Sequence, residues 1–100
     1  MNNSFSEKVY SVLKKVPRGR VTTYKAIAEA LNTKACRAVG NALNRNPYAP
    51  KVPCHRVVKS NGNIGGYAEG VRKKIKLLKK EGVQTKNNSV VDFNKKMFRP

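Results

Sequence analysis

One hundred residues make one domain with a modest core, and 39% apolar content without a long apolar run excludes a membrane span. Twenty-two Lys and Arg stand against five acids, a formal charge of +17, so the chain is suited to a polyanion, with nucleic acid ahead of a lipid surface as the expected partner. Cys36 and Cys54 form no CxxC pair and His55 is the only histidine, which argues against a disulfide scaffold and a zinc site, and Met1–Ser4 leads directly into an amphipathic pattern rather than a secretory signal, so an intracellular chain is expected.

Ser4 followed by Glu7 fits a capping box, and Phe5, Val9, Val12, Leu13 and Val16 then repeat at helical spacing until Pro17-Arg18-Gly19 stops them. After a short extended Arg20-Val21, Thr22 or Thr23 can cap a second helix with Tyr24, Ile27, Ala28 and Leu31 on one face, ending near Asn32. Thr33 can cap a third helix whose buried seam is Cys36, Val39, Gly40 and Leu43, with Arg37, Asn41, Asn44 and Arg45 turned away. Two short helices joined by a tight turn match a helix-turn-helix. Ala35, Ala38 and Ala42 form a small-residue stripe between the seam and the polar face, which permits close approach to a groove.

From Asn46-Pro47 through Pro50 and Pro53 the prolines remove amide donors and disfavour helix, so Cys54 follows a constrained loop. His55–Lys59 and Asn63-Ile64 flank Ser60-Asn61-Gly62, a turn signal for a small hairpin, and Gly65-Gly66 frees the backbone before Tyr67. A fourth helix follows, with Val71, Ile75 and Leu78 as its inner stripe, Arg72, Lys73, Lys76, Lys79 and Lys80 outside, and Gly82 as C-terminal cap. Beyond Lys86 the chain is expected to fray, although Val90, Val91, Phe93, Met97 and Phe98 have the apolarity to dock. The expected architecture is mainly α, a winged helix-turn-helix-like domain of about four helices with a small β-hairpin, over residues 1–85, with 86–100 as a basic tail.

Cys54 and His55 place a thiol directly beside the only imidazole. A free thiol is only a few per cent thiolate at neutral pH, and a neighbouring base raises that fraction, so the pair suggests a nucleophile. A lone Cys-His dipeptide is more often a small buried hydrophobe beside a satisfied histidine, so the surrounding residues decide.

Taken in order, Arg37-Ala38-Val39-Gly40, Asn46-Pro47, Pro53-Cys54-His55-Arg56-Val57-Val58, Gly66-Tyr67 and Lys79-Lys80-Glu81-Gly82 resemble the active-site domain of the O6-alkylguanine-DNA alkyltransferases, from Phe5 to Gly82. The resemblance implies direct, irreversible repair of duplex DNA, in which an alkylated guanine is flipped out and its O6 substituent passes to Cys54. It further implies that His55 acts on the thiol through a bridging water and that Glu81 orients the imidazole. By the same likeness Tyr67 donates its hydroxyl to the guanine ring as charge develops on the leaving purine.

Arg37 would fill the space left in the stack, and Tyr24 would press on the phosphate of the target nucleotide. The backbone carbonyls of Cys54 and Val57 would meet the guanine exocyclic amine, while Asn46 braces the turn around the cysteine loop. The third helix, with Ala38, Gly40 and Asn41, would enter the minor groove. The resemblance implies a monomer that needs no cofactor and no metal.

Two departures stand out. Many family members carry a further N-terminal domain, whereas the first helix begins here within five residues of Met1, so the expectation is the active-site domain alone. Ala68-Glu69 follows Tyr67 where many relatives carry small residues, and Glu69 is expected to narrow the pocket against bulky benzyl groups relative to methyl. The nearest rival is the alkyltransferase-like class, which flips alkylguanine without transferring the group because another residue replaces the cysteine; Cys54 argues against it. A non-enzymatic helix-turn-helix DNA-binding protein with a structural Cys54 is a second rival, and a thiol hydrolase a distant third with no oxyanion site to support it.

Overall fold

In the computed structural model, which describes residues 4–48 and 51–100, Ser4 opens the first helix by accepting the Glu7 amide at 3.2 Å. Helix α1 (Phe5–Leu13) buries Val9, Tyr10, Val12 and Leu13, and the Tyr10 hydroxyl donates to the Ala42 carbonyl at 2.7 Å, tying it to the third helix. Thr23, the last residue of β1 (Thr22–Thr23), caps α2 (Tyr24–Ala30) by accepting the Ala26 amide at 3.0 Å. That helix stops because Asn32 turns left-handed at φ 56°, with Thr33 N–H returning to Ala28 and Asn32 N–H to Glu29, both at 3.0 Å. Helix α3 (Cys36–Asn44) starts three residues after Thr33, whose hydroxyl accepts the Ala35 amide instead of capping the helix directly.

A single 3₁₀ turn, Cys54–Arg56, leads into β2 (Val57–Val58), which pairs in parallel with β1, Thr22 opposite Val57 and Thr23 opposite Val58. Helix α4 (Val71–Lys80) ends on Gly82 at φ 89°, with Val83 N–H bonded to Leu78 O at 2.9 Å. This is the same left-handed closure as in α2, and it fixes Glu81 at the last turn. The hairpin β3 (Thr85–Lys86) and β4 (Ser89–Val90) precedes the short α5 (Phe93–Lys96).

Two apolar clusters share the segment that carries Cys54. One joins α1, α2 and α3 to Val52, Cys54 and Val57; the other joins Val21, Val58, Ile64, Leu78, Val83 and Val90. Cys54–Val58 therefore lies along the seam between them, held from both sides.

The mainly helical architecture agrees with the sequence expectation, with a fifth helix and different strand partners. Ser60-Asn61-Gly62 does turn, Gly62 N–H reaching Lys59 O at 2.9 Å, but Val57 and Val58 are fully buried and pair with β1, while Asn63 bridges to Ser89. The hairpin forms instead around Asn87 and Asn88, both left-handed at φ 52° and 61°, the pattern that suits a two-residue turn. Residues beyond Lys86 do not fray: Val21 N–H donates to Lys96 O at 2.9 Å and Phe98 N–H to Val21 O at 2.7 Å. Ala42 belongs to the core, not to an open stripe, and in α4 Val71 is exposed while Lys74 takes the inner position beside Leu78. Pro50, part of the expected irregular stretch, lies outside the described residues.

Candidate active site

A groove of about 750 Å³ opens between α3 and the loop before α4, lined by Arg37, Gly40 and Asn41 on one side, Gly66, Tyr67 and Ala68 on the other, and Cys54, Tyr24 and Lys59 between them. A Cβ at Gly40 would meet nothing within 4 Å, so the helix surface there stands open to the groove. Arg37 and Asn41 are exposed and Ala38 is half-buried; Ala38 does not line the groove. Cys36, expected in the buried seam, is half-buried and does line it. Lys59 adds a second cation beside Arg37, a position that the sequence reading did not single out.

Cys54 is buried at 8% exposure, a free thiol at the start of the 3₁₀ turn, so only a narrow face meets the groove. Behind it His55 is buried, its Nε2 lying 3.1 Å from Glu81 Oε2, while Nδ1 has no hydrogen-bond partner. With the Nε2 proton directed at Glu81, Nδ1 carries a lone pair, the state required of a base. Burial lowers the imidazole pKa from its ordinary value, with the Glu81 carboxylate working against that fall.

Glu81 is held by a residue that the sequence reading passed over. Arg56 grips the carboxylate with two parallel hydrogen bonds, Nε to Oε1 at 3.0 Å and Nη2 to Oε2 at 2.7 Å, and its Nη1 donates to Val16 O at 2.8 Å. Burial works to raise the Glu81 carboxyl, but the hydrogen bonds from Arg56 and then His55 outweigh it and hold the group below its ordinary value. The carboxylate therefore stays ionised and orients the ring.

On the opposite side of the thiol, burial, then Cys54 and Glu69, push the Tyr67 hydroxyl up to about 12, so it remains a proton donor at neutral pH. Tyr24 is likewise raised, by burial first and then by Cys54. Glu69 does not line the groove. It is half-exposed, and its carboxylate meets Lys73 at 2.6 Å, one helical turn on, while also acting on the Tyr67 hydroxyl that borders the groove.

Lys74 is the other residue that the sequence reading missed. Fully buried, it donates from Nζ to Val57 O at 2.6 Å, to Gly66 O at 3.0 Å and to Ile64 O. One ammonium thus ties the strand after the cysteine to the glycine loop before Tyr67. The Val57 carbonyl keeps a second lone pair, and the Cys54 carbonyl already accepts the Val57 amide. Asn46 spans the cysteine loop, donating to Val52 O at 2.8 Å and accepting the Tyr48 amide at 2.9 Å. Among the described residues, no three His, Cys, Asp or Glu side chains gather to hold a metal ion, and no helix is long and apolar enough to cross a membrane.

Residues 4–83 match the family described as 6-O-methylguanine DNA methyltransferase, DNA binding domain. The chain belongs to this methyltransferase family. It is 52% identical over 88 residues to a methylated-DNA--protein-cysteine methyltransferase of Metallosphaera sedula, covering 88% of this chain and 55% of that protein. A Methanosarcina acetivorans protein of the same name is 52% identical over 79 residues, so the chain spans about half the length of the curated methyltransferases it matches, 55% and 51% of these two. Among solved structures, the O6-methylguanine-DNA methyltransferase of Pyrococcus kodakaraensis superposes with a TM-score of 0.75 at 54% identity, over 81% of this chain and 47% of that one. Atl1 of S. pombe, crystallised with damaged DNA containing O6-carboxymethylguanine, superposes with a TM-score of 0.83 at 28% identity, over 100% and 99% of the two chains. The similar proteins thus include both named methyltransferases and Atl1.

Proposed function

We propose that this chain repairs O6-alkylguanine in duplex DNA by a single, irreversible transfer to Cys54. The observation that carries the reading is the arrangement around one thiol: a base with a free lone pair at His55 Nδ1, a carboxylate fixing that base, and a protonated Tyr67 facing the thiol across the groove. In this reading His55 takes the thiol proton, by way of a bridging water, and the Cys54 sulfur attacks the alkyl carbon. A C–S bond forms as the C–O6 bond breaks, and the electron pair passes into the purine, where the Tyr67 hydroxyl supplies a proton. The product is a thioether that no neighbouring group reverses, so each molecule acts once.

Arg37, exposed on α3, would occupy the stack in place of the flipped base, offsetting the few kcal/mol or so that extrusion costs. Tyr24 and Lys59 border the groove, where a target phosphate would lie, and Ala38 and Asn41 would face the minor groove. Lys74 and Asn46 hold the two loops that shape the base pocket.

A second reading, recognition of alkylguanine without transfer, draws support from the full-length match to Atl1. Residual O6-methylguanine in digested duplex separates the two. Transfer predicts one lesion lost per protein molecule and none thereafter, while recognition alone leaves every lesion in place. Loss of many lesions per molecule would contradict both.

A further inference from the structure

Helix α4 carries four cations that neither the groove nor the core uses. At 3.6 residues per turn, Arg72, Lys76, Lys79 and Lys80 fall within about 100° of arc, opposite the buried Lys74 and Leu78. Lys74 reaches inward to the loop that borders the groove, so the outer row points away from Cys54, and none of its members lines the groove. Arg18 joins the row from another part of the chain, its Nη2 donating to Lys80 O at 3.0 Å.

The row is not neutralised. All five acids are accounted for elsewhere: Glu81 is held by Arg56 and His55, Glu69 by Lys73, Glu29 faces Arg99, and Glu7 and Asp92 make no ion pair with these residues. Within the row Arg72 and Lys76, Lys76 and Lys79, and Lys76 and Lys80 lie about one turn apart, so like charges repel along a single face, offset only where Lys79 and Lys80 meet the negative end of the helix dipole. Eight steps of 1.5 Å make the row about 12 Å long, close to the roughly 12 Å width of the B-DNA major groove, so its two ends match phosphates on both rims of one duplex.

We propose that this face is a second, non-catalytic binding surface for duplex DNA, allowing one molecule to hold two duplex segments at once, one at the Cys54 groove and one along α4. It rests on the proposed DNA reading for the first segment and is independent of alkyl transfer. The second contact is to phosphates alone, so it is indifferent to sequence and steep in salt.

The test is two-colour fluorescence cross-correlation with duplexes carrying different dyes, at low salt and limiting protein. Wild type links the two colours, whereas Arg72→Gln/Lys76→Gln/Lys79→Gln/Lys80→Gln loses the linkage, still binds one duplex and still transfers one alkyl group. In wild type the affinity for the second duplex falls with salt at a log–log slope of about 3.6, four contacts at about 0.9 each. The charge-keeping Lys76→Arg/Lys79→Arg/Lys80→Arg retains the linkage, which guards against a fold defect in the first variant. Linkage surviving the four-residue substitution overturns the proposal. So does a wild type that holds one duplex and never two, or one whose α4 row captures phosphatidylserine vesicles but no second duplex. A wild type that binds no duplex at all overturns the DNA reading as well.

Discussion

Replacing Lys74 with Met removes an ammonium while keeping most of the stem volume, and it tests whether a buried charge organises the reactive loops. Burial pushes this amine from 10.5 down to about 8, with Cys54 working in the opposite direction. A lysine whose folded pKa is depressed leaves the unfolded chain holding more protons between those values, so stability rises as pH climbs through that interval. The fall corresponds to about 3 kcal/mol over the whole interval. The upper end is blunted, because Tyr67 is raised from 10.0 to about 12 and stability from that group falls as pH rises through that range. Against the burial penalty stand three carbonyls that lose their donor on substitution, each costing about 1–3 kcal/mol when left unpaired. At neutral pH the two sides leave a net destabilisation of about 3 kcal/mol. Urea unfolding of wild type and Lys74→Met from neutral pH to pH 10 should show that loss at neutral pH, and the rise above pH 8 should vanish in the variant. Single-turnover transfer should slow as well, because Val57 and Gly66 flank the thiol and the tyrosine. A variant with unchanged neutral stability and an unchanged alkaline limb would refute the reasoning.

Glu81→Gln keeps the shape but strands the Arg56 charge, and we expect a loss of about 3 kcal/mol by chemical unfolding together with slower transfer. Because the carboxyl is held below its ordinary value, its contribution is fully present above pH 4.5 and is lost as pH falls through the lowered folded value; the variant's acid limb should be flatter. Tyr67→Phe should reduce the transfer rate by about 100-fold with little change in duplex affinity, read by quenched-flow alkylation beside fluorescence anisotropy. His55→Ala should likewise slow transfer and spare affinity, whereas Arg37→Ala should weaken flipping, followed with a fluorescent base analogue opposite the lesion. Asn88→Ala forces an alanine into φ 61° and should cost about 1 kcal/mol, seen as a lower Tm and earlier exchange of the β3–β4 amides.

What the chain disclosed beforehand was local chemistry. Ser4 and Thr23 act where a hydroxyl precedes a helical pattern, and Gly82 closes α4, because caps depend on a few adjacent residues. The mainly helical architecture follows from apolar periodicity in the same way. The partner of Val57-Val58 did not show, since pairing with Thr22-Thr23 spans the intervening helices and leaves no mark in either dipeptide. Asn87-Asn88 does carry a signal, two adjacent residues tolerant of positive φ, which the expectation of fraying beyond Lys86 leaves unused. Lys74 was hidden by residue type: four positions before Leu78 it occupies the inner phase of α4, yet a lysine reads as solvent-facing until three carbonyls are brought around it. Arg56 stands in the sequence only as part of a motif, and nothing local announces that its guanidinium reaches Glu81, the carboxylate behind His55.

Peptide mass mapping after incubation with duplex DNA containing O6-methylguanine tests the central claim most directly, with unmodified duplex and Cys54→Ser in parallel. The account predicts one methyl group per molecule on the peptide bearing Cys54, none on Cys36, and none in either control. An unmodified Cys54 in protein that binds the lesion tightly would contradict transfer and leave a damage-recognition module.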